Sequence, residues 1–159
     1  QINKGDFLKP IIIKVIGIPG AQGSKRHVGN GIMIESSTKV PVWRQDIKHA
    51  SLESYRHDPL DLPCHVEIDF FFPRPLSHFR TGKFKNLLKP NAPSFLISQR
   101  SGDLDKLCRS TLDGLSVTSG GIVLKDDSLV VSLSAKKAYV GRDQYPGANI
   151  LILPYPLTS

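Results

Sequence analysis

Gly102-Asp103-Leu104-Asp105-Lys106-Leu107-Cys108-Arg109-Ser110-Thr111-Leu112-Asp113-Gly114-Leu115 is the stretch on which the fold turns. Leu104, Leu107, Cys108, Thr111, Leu112 and Leu115 recur at i, i+3, i+4, i+7, i+8 and i+11, the spacing of one buried stripe on an amphipathic helix. Asp103 is a natural N-cap, Asp105 a favourable first-turn acid, and Gly120-Gly121 marks the turn beyond. Upstream, His65-Val66-Glu67-Ile68-Asp69-Phe70-Phe71-Phe72 alternates and then becomes wholly apolar, which predicts a sheet strand with at least one buried face. Downstream, Ser128 to Tyr139 alternates as a second strand, with Leu129, Val131, Leu133 and Ala135 on one face. A strand, a helix and a strand therefore form the centre of the chain.

Further out, Pro10 to Ile18 reads as a β-branched strand closed by Pro19-Gly20, and Pro146-Gly147 turns into a last strand from Asn149 to Leu153. Gly29-Asn30-Gly31 before Ile32-Met33-Ile34-Glu35 signals a small hairpin after residue 23. From Val42 to about Arg56, Val42, Trp43, Ile47, Ala50 and Leu52 give a loose helical period ended by His57-Asp58-Pro59; Trp43 and Arg44 read as packing and surface residues. Residues 73–100 carry prolines at 73, 75, 90 and 93 and read as a long irregular insert. The order is roughly β-α-β-α-β-β. That is an α/β (α+β) domain over residues 1–159, with a mixed sheet of about four to five strands and two main helices on one side.

The chain has 159 residues and a formal net charge of +7, which fits one domain and a polyanionic partner, and equally an anionic surface or plain solubility. No membrane span and no secretory signal is legible. Cys64 and Cys108 are too few for a disulfide framework and read as buried free thiols in a reducing cytoplasm. The five histidines lack ligand spacing, which argues against structural zinc.

Against this basic background the acids cluster, in Asp103 and Asp105 and again in Asp126 and Asp127. Carboxylates gathered together repel unless a cation neutralises them, and magnesium suits sites made of carboxylates and substrate phosphates. With Asp103 at the N-cap, both helix-start carboxylates can converge; a regular strand would offer only one of Asp126 and Asp127. The plainer reading is an N-cap, a first-turn acid and an ordinary turn, and the residues alone leave both open.

The insert carries Arg74, His78, Arg80, Lys83, Lys85 and Lys89, with Phe79 and Phe84 among them. It reads either as an arm that follows a nucleic-acid backbone and stacks on opened bases, or as a solvated loop with its phenylalanines folded onto the core. Gln22 to His27, including Lys25 and Arg26, forms a second basic cluster, and Lys136 and Lys137 add a third on the late strand.

Asp103-Leu104-Asp105-Lys106-Leu107-Cys108-Arg109, Leu112-Asp113-Gly114-Leu115 and Asp126-Asp127-Ser128-Leu129-Val130 resemble the ordered motifs of the RusA family of Holliday junction resolvases: D-x-D-N-L-x-K, D-A-L and D-D-x-x-V, then a strand carrying a lysine. The resemblance covers about residues 63–154. Phe72-Pro73-Arg74-Pro75-Leu76-Ser77-His78 is similar to a segment of phage-type and actinobacterial-type members, and Pro19 to Arg26 is more distantly similar to the family's opening. The resemblance implies a magnesium-dependent (or manganese-dependent) endonuclease that cuts four-way or other branched DNA. It also implies a homodimer without a small-molecule cofactor, associated with DNA in the cytoplasm of a bacterium or phage-infected host. Asp103, Asp105 and Asp127 would be metal ligands, and Arg109 would take the place of the catalytic lysine. Asp126 and Asp113 would support them. From the residues themselves, Lys106 adds a supporting charge at the helix start, and Lys25, Arg26, Arg74, His78, Arg80, Lys83, Lys85 and Lys136 are the candidate DNA contacts. Two departures stand out: Arg109 for lysine, and Lys106 for asparagine. A nucleic-acid-binding protein with weak or no catalysis, and a flap or fork nuclease on the same scaffold, are the competing functions.

Overall fold

A computed structural model describes residues 9–23, 25–27, 29, 33–35 and 38–156, with side chains left aside at 25–27 and 33–35. β-Branched and aromatic runs bounded by turns form the strands β1 (Ile11–Ile16), β4 (Cys64–Pro73), β5 (Val130–Val140) and β6 (Gly147–Pro154). They make one four-stranded sheet in the order β1-β6-β4-β5. β6 runs antiparallel to both β1 and β4, whereas β4 and β5 are parallel. The parallel pair needs a crossover, and α2 (Leu104–Leu115) supplies it. Short strands β2 (Lys25–His27) and β3 (Met33–Glu35) pair as the expected antiparallel ribbon; Asn30, Gly31 and Ile32 of the expected turn lie outside the described residues.

Helix α1 (Lys39–Ser54) is longer at its start than the sequence suggests, and it buries a different stripe. Val40, Trp43, Ile47, Ala50 and Ser51 face the core, while Val42 and Leu52 are exposed. Helical phase decides this: positions 40, 43, 47 and 50 share one face, and 42 and 52 fall on the other. The Trp43 indole donates to Thr111 Oγ1 at 3.1 Å, joining the two helices.

Both helices cover the same face of the sheet, through Cys64, Val66, Ile68, Phe70 and Phe72 of β4, Ile13 and Val15 of β1, and Ala148, Ile150 and Ile152 of β6. The other face is open. Phe70, Phe72, Ile150 and Ile152 are core; Phe71, Leu151 and Leu153 lie half-buried on the open side with exposed Ile12 and Ile16. Cys64 and Cys108 are buried free thiols. Burial pushes the Cys64 thiol up to about 11.

β6 meets β1 at its first residue, where Gly147 pairs with Ile16. A Cβ there would be driven into the Val15 carbonyl oxygen. Gly147→Ala is therefore expected to cost about 1–3 kcal/mol of stability through overpacking, read as a lower urea midpoint with an unchanged slope.

Residues 74–103 carry three short 3₁₀ turns and no strand or α-helix. No described helix is long and apolar enough to cross a membrane.

Candidate active site

Asp103 stands at the N-cap of α2 with extended backbone angles, φ −74° and ψ 144°. Its carboxylate does not cap the helix; it reaches forward to Lys106 Nζ at 3.5 Å. Asp105 and Arg109 occupy successive turns of the same face, i and i+4 apart, and both are exposed without an ion-pair or hydrogen-bond partner among the described residues. Asp127 comes from the 3₁₀ turn Asp127–Leu129 that leads into β5. Leu104, Asp105, Cys108, Arg109 and Leu112 of α2, with Asp127, Leu133 and Ala135, line one open groove of about 470 Å³. Its floor is apolar because Leu104 and Leu112, the outer members of the helical stripe, are only half-buried.

Asp105, Arg109 and Asp127 thus meet in one groove, and Asp103 and Lys106 do not line it. Among the described residues, no three carboxylate, histidine or cysteine side chains come close enough to hold a metal ion. The two carboxylates of the groove are hard oxygen donors, which suits magnesium: that ion keeps several waters and binds through one or two carboxylates plus substrate phosphates. Cys108 brings no thiolate, since burial first and the Asp105 carboxylate second raise its thiol, leaving it protonated at neutral pH.

Asp126 and Asp127 divide their work, though not by strand alternation. The Asp126 carboxylate accepts the Ser128 backbone N–H and the Thr118 hydroxyl, each at 3.0 Å. These bonds, led by those to Ser128, hold it below the usual carboxylate range. Asp126 therefore caps the turn that presents Asp127. Asp113 likewise turns away from the groove, pairing with Arg44 Nη2 at 2.8 Å. Arg44 is accordingly more than the surface residue its sequence position suggests. It also donates to Gln22 Oε1 at 3.1 Å and so ties the segment before β2 to α2, as does the Gln22 N–H bonded to Lys106 O at 3.1 Å. Lys25 and Arg26 follow on β2, but their side chains lie outside the described residues.

The two lysines of β5 part company. Lys136 pairs in register with Asp69 and reaches it at 3.8 Å on the open face of the sheet. Lys137 pairs with Phe70, on the helix-covered face, and donates to Gly102 O at 2.9 Å and Ser101 Oγ at 3.1 Å, immediately before Asp103. The parity of Leu133, Ala135 and Lys137 is the signal that marks Lys137 as the lysine nearer the site.

In the insert, Arg74 donates to Pro93 O at 2.7 Å and stacks 4.5 Å over Tyr139, against whose ring His78 packs edge-on. Arg80 Nε braces Leu88 O at 3.1 Å. Lys83, Lys85 and Lys89 are exposed, without an ion-pair partner among the described residues. Phe79 is buried and Phe84 is 50 % exposed, so each of the two readings of the insert fits one phenylalanine.

The family model described as endodeoxyribonuclease RusA matches residues 17–152. No curated protein matches the chain.

Proposed function

Because the chain belongs to the RusA family of endodeoxyribonucleases, hydrolases that act on DNA, we propose that it cuts four-way junctions with the help of a divalent cation. The observation that carries this reading is the groove shared by Asp105, Arg109 and Asp127, on a chain of net charge +7. Asp105 and Asp127 would hold magnesium, or manganese in its place, joined by Asp103 when phosphate draws Lys106 away. Such an ion acidifies a water and stabilises the leaving oxygen of a phosphodiester.

The chain's own residues do the rest. Arg109, one turn from Asp105, clamps a phosphate through parallel N–H bonds and acts by charge alone, because a guanidinium does not give up its proton. Lys137 adds a second cation beside the helix start while fixing the turn before Asp103. Asp126 holds Asp127 in place, and Asp113 with Arg44 fixes the far side of α2. Lys83, Lys85 and Lys89 follow the DNA backbone, with Lys25 and Arg26 on β2. Arg74, His78 and Arg80 serve chiefly to hold the insert, and Lys136 meets DNA only if it crosses the open face.

A second reading has one observation in its favour: with Asp103 paired to Lys106, the carboxylates do not form a closed trio. The chain would then bind branched DNA and cut it weakly or not at all. Cleavage of a labelled synthetic junction, with linear duplex and flap controls, with and without magnesium, separates the readings. Paired nicks in the junction only with the metal are expected. Flap-selective cleavage would make the chain a flap nuclease, and metal-indifferent binding without cleavage would make it a binder.

Resolution needs two nicks at symmetry-related positions, which a two-fold dimer supplies. Sedimentation is expected to give a homodimer. A strict monomer with and without junction DNA would remove this part of the reading.

Removing the charges of Lys83, Lys85 and Lys89 together is expected to weaken junction binding and to lower its salt slope by about one unit per lost phosphate contact. Arg80 is spared because it braces the loop. An unchanged slope would show that these lysines only face solvent.

A further inference from the structure

Between Asp69 and Asp103 the sequence holds no Asp or Glu, while Arg74, Arg80, Lys83, Lys85, Lys89 and Arg100 all fall there. Like charges packed along one loop repel, so the loop must be held by other means, and the structure supplies them. The Arg80 N–H donates to Leu87 O at 2.8 Å and the Lys89 N–H to His78 O at 2.9 Å, with a Phe79–Leu88 bridge between. Buried Phe79 anchors this lobe, and Arg142 grips it, donating to Lys85 O at 2.8 Å with its guanidinium 5.6 Å from the Phe79 ring. The 3₁₀ turn Gly82–Phe84 forms the tip.

At that tip Phe84 has half its surface in water, and the Lys83 ammonium lies 5.1 Å from its ring. Lys85 follows directly. An exposed aromatic between two lysines, on a braced tip, at the end of β4 from which the chain enters α2, has the composition of a stacking contact for nucleic acid: a π-face for a base, cations for the flanking phosphates. A base inside an intact duplex is stacked on both faces, whereas a base at a branch whose arms unstack presents a free one. We propose that Phe84 stacks on an unpaired base at the branch of the DNA, with Lys83 and Lys85 on the adjoining phosphates. Bracing lowers the ordering cost of that contact. Phe95, though more exposed, lacks such neighbours: Ser94 and Leu96 flank it. The proposal rests on the junction-cutting reading and names which part of the branch the insert takes.

The test is binding of full-length protein, without divalent metal, to a four-way junction carrying 2-aminopurine at the branch, beside a linear duplex of the same sequence. The parent is expected to change the probe's fluorescence. Phe84→Leu, which keeps an apolar side chain, should abolish that change and weaken junction binding about 5- to 150-fold, the range of one lost base stack. Phe84→Trp should restore both, and duplex binding should stay within about two-fold. Unfolding curves that overlay the parent's would show Phe84→Leu to be folded. An unchanged probe response in Phe84→Leu, or equal loss on junction and duplex, would overturn the proposal. So would a dimer that dissociates on this substitution, since the tip would then dock on a second copy. Junction cleavage by the parent, scored separately, shows whether the broader reading stands when this one falls.

Discussion

Asp105→Asn is expected to lose metal-dependent cleavage by at least about 100-fold, since loss of even an outer partner of a metal site commonly costs 10–100-fold. Binding should stay level or tighten, because the proposed role has this groove face phosphate and the substitution removes one negative charge from it. The fold should survive: Asp105 is exposed and makes no ion pair or hydrogen bond among the described residues, so its loss removes mainly a favourable first-turn charge, worth about 0.3–1 kcal/mol. Junction cleavage, filter binding and thermal unfolding of the one variant check the three expectations. Near-parental cleavage would mean that Asp105 serves the helix start alone.

Arg109 separates charge from proton transfer. Arg109→Ala is expected to raise the barrier by about 2–4 kcal/mol, the scale of one lost oxyanion donor. Arg109→Lys should keep most of the rate, since an ammonium still neutralises phosphate, although it lacks the bidentate fork. Single-turnover cleavage over a range of pH checks this. Equal rates for parent and alanine would reduce Arg109 to a surface residue of α2.

The centre of the fold was legible because it rests on periodicity. The stripe of α2 and the alternation of β4 mark themselves in sequence, and with them the order strand, helix, strand; that the two strands run parallel is a finding of the structure. The first helix was less so: Val42 and Leu52 are apolar yet exposed, and a weak pattern admits two phases. Pairing was not legible at all. Leu133 and Ala135 share the face expected of them, but Leu129 falls in the turn before β5, and Val131 sits at the register irregularity between Val130 and Ser132 and is exposed.

The site was legible as a set of residue types and less so as an arrangement. Asp105, Arg109 and Asp127 line one groove, and Asp103, the third acid of the motif, does not. That Asp103 turns to Lys106, and Asp126 to Thr118 and Ser128, depends on local rotamers and turns that spacing does not encode. Arg44 reads in sequence only as a surface or packing residue because its partners, Gln22 and Asp113, lie 22 and 69 residues away. Lys137 could have been found, since it continues the parity of Leu133 and Ala135.

Manganese binding, counted by electron paramagnetic resonance in the presence of a cleavage-resistant junction, tests the proposed metal site most directly. The parent should bind manganese in competition with magnesium, and Asp105→Asn and Asp127→Asn should each lose that binding while still holding the DNA. Asp126→Asn should retain it in weakened form, because its carboxylate acts on the turn and not on the ion. Manganese held equally well by the parent, Asp105→Asn and Asp127→Asn would contradict the assignment of this groove as the place where the chain cuts DNA.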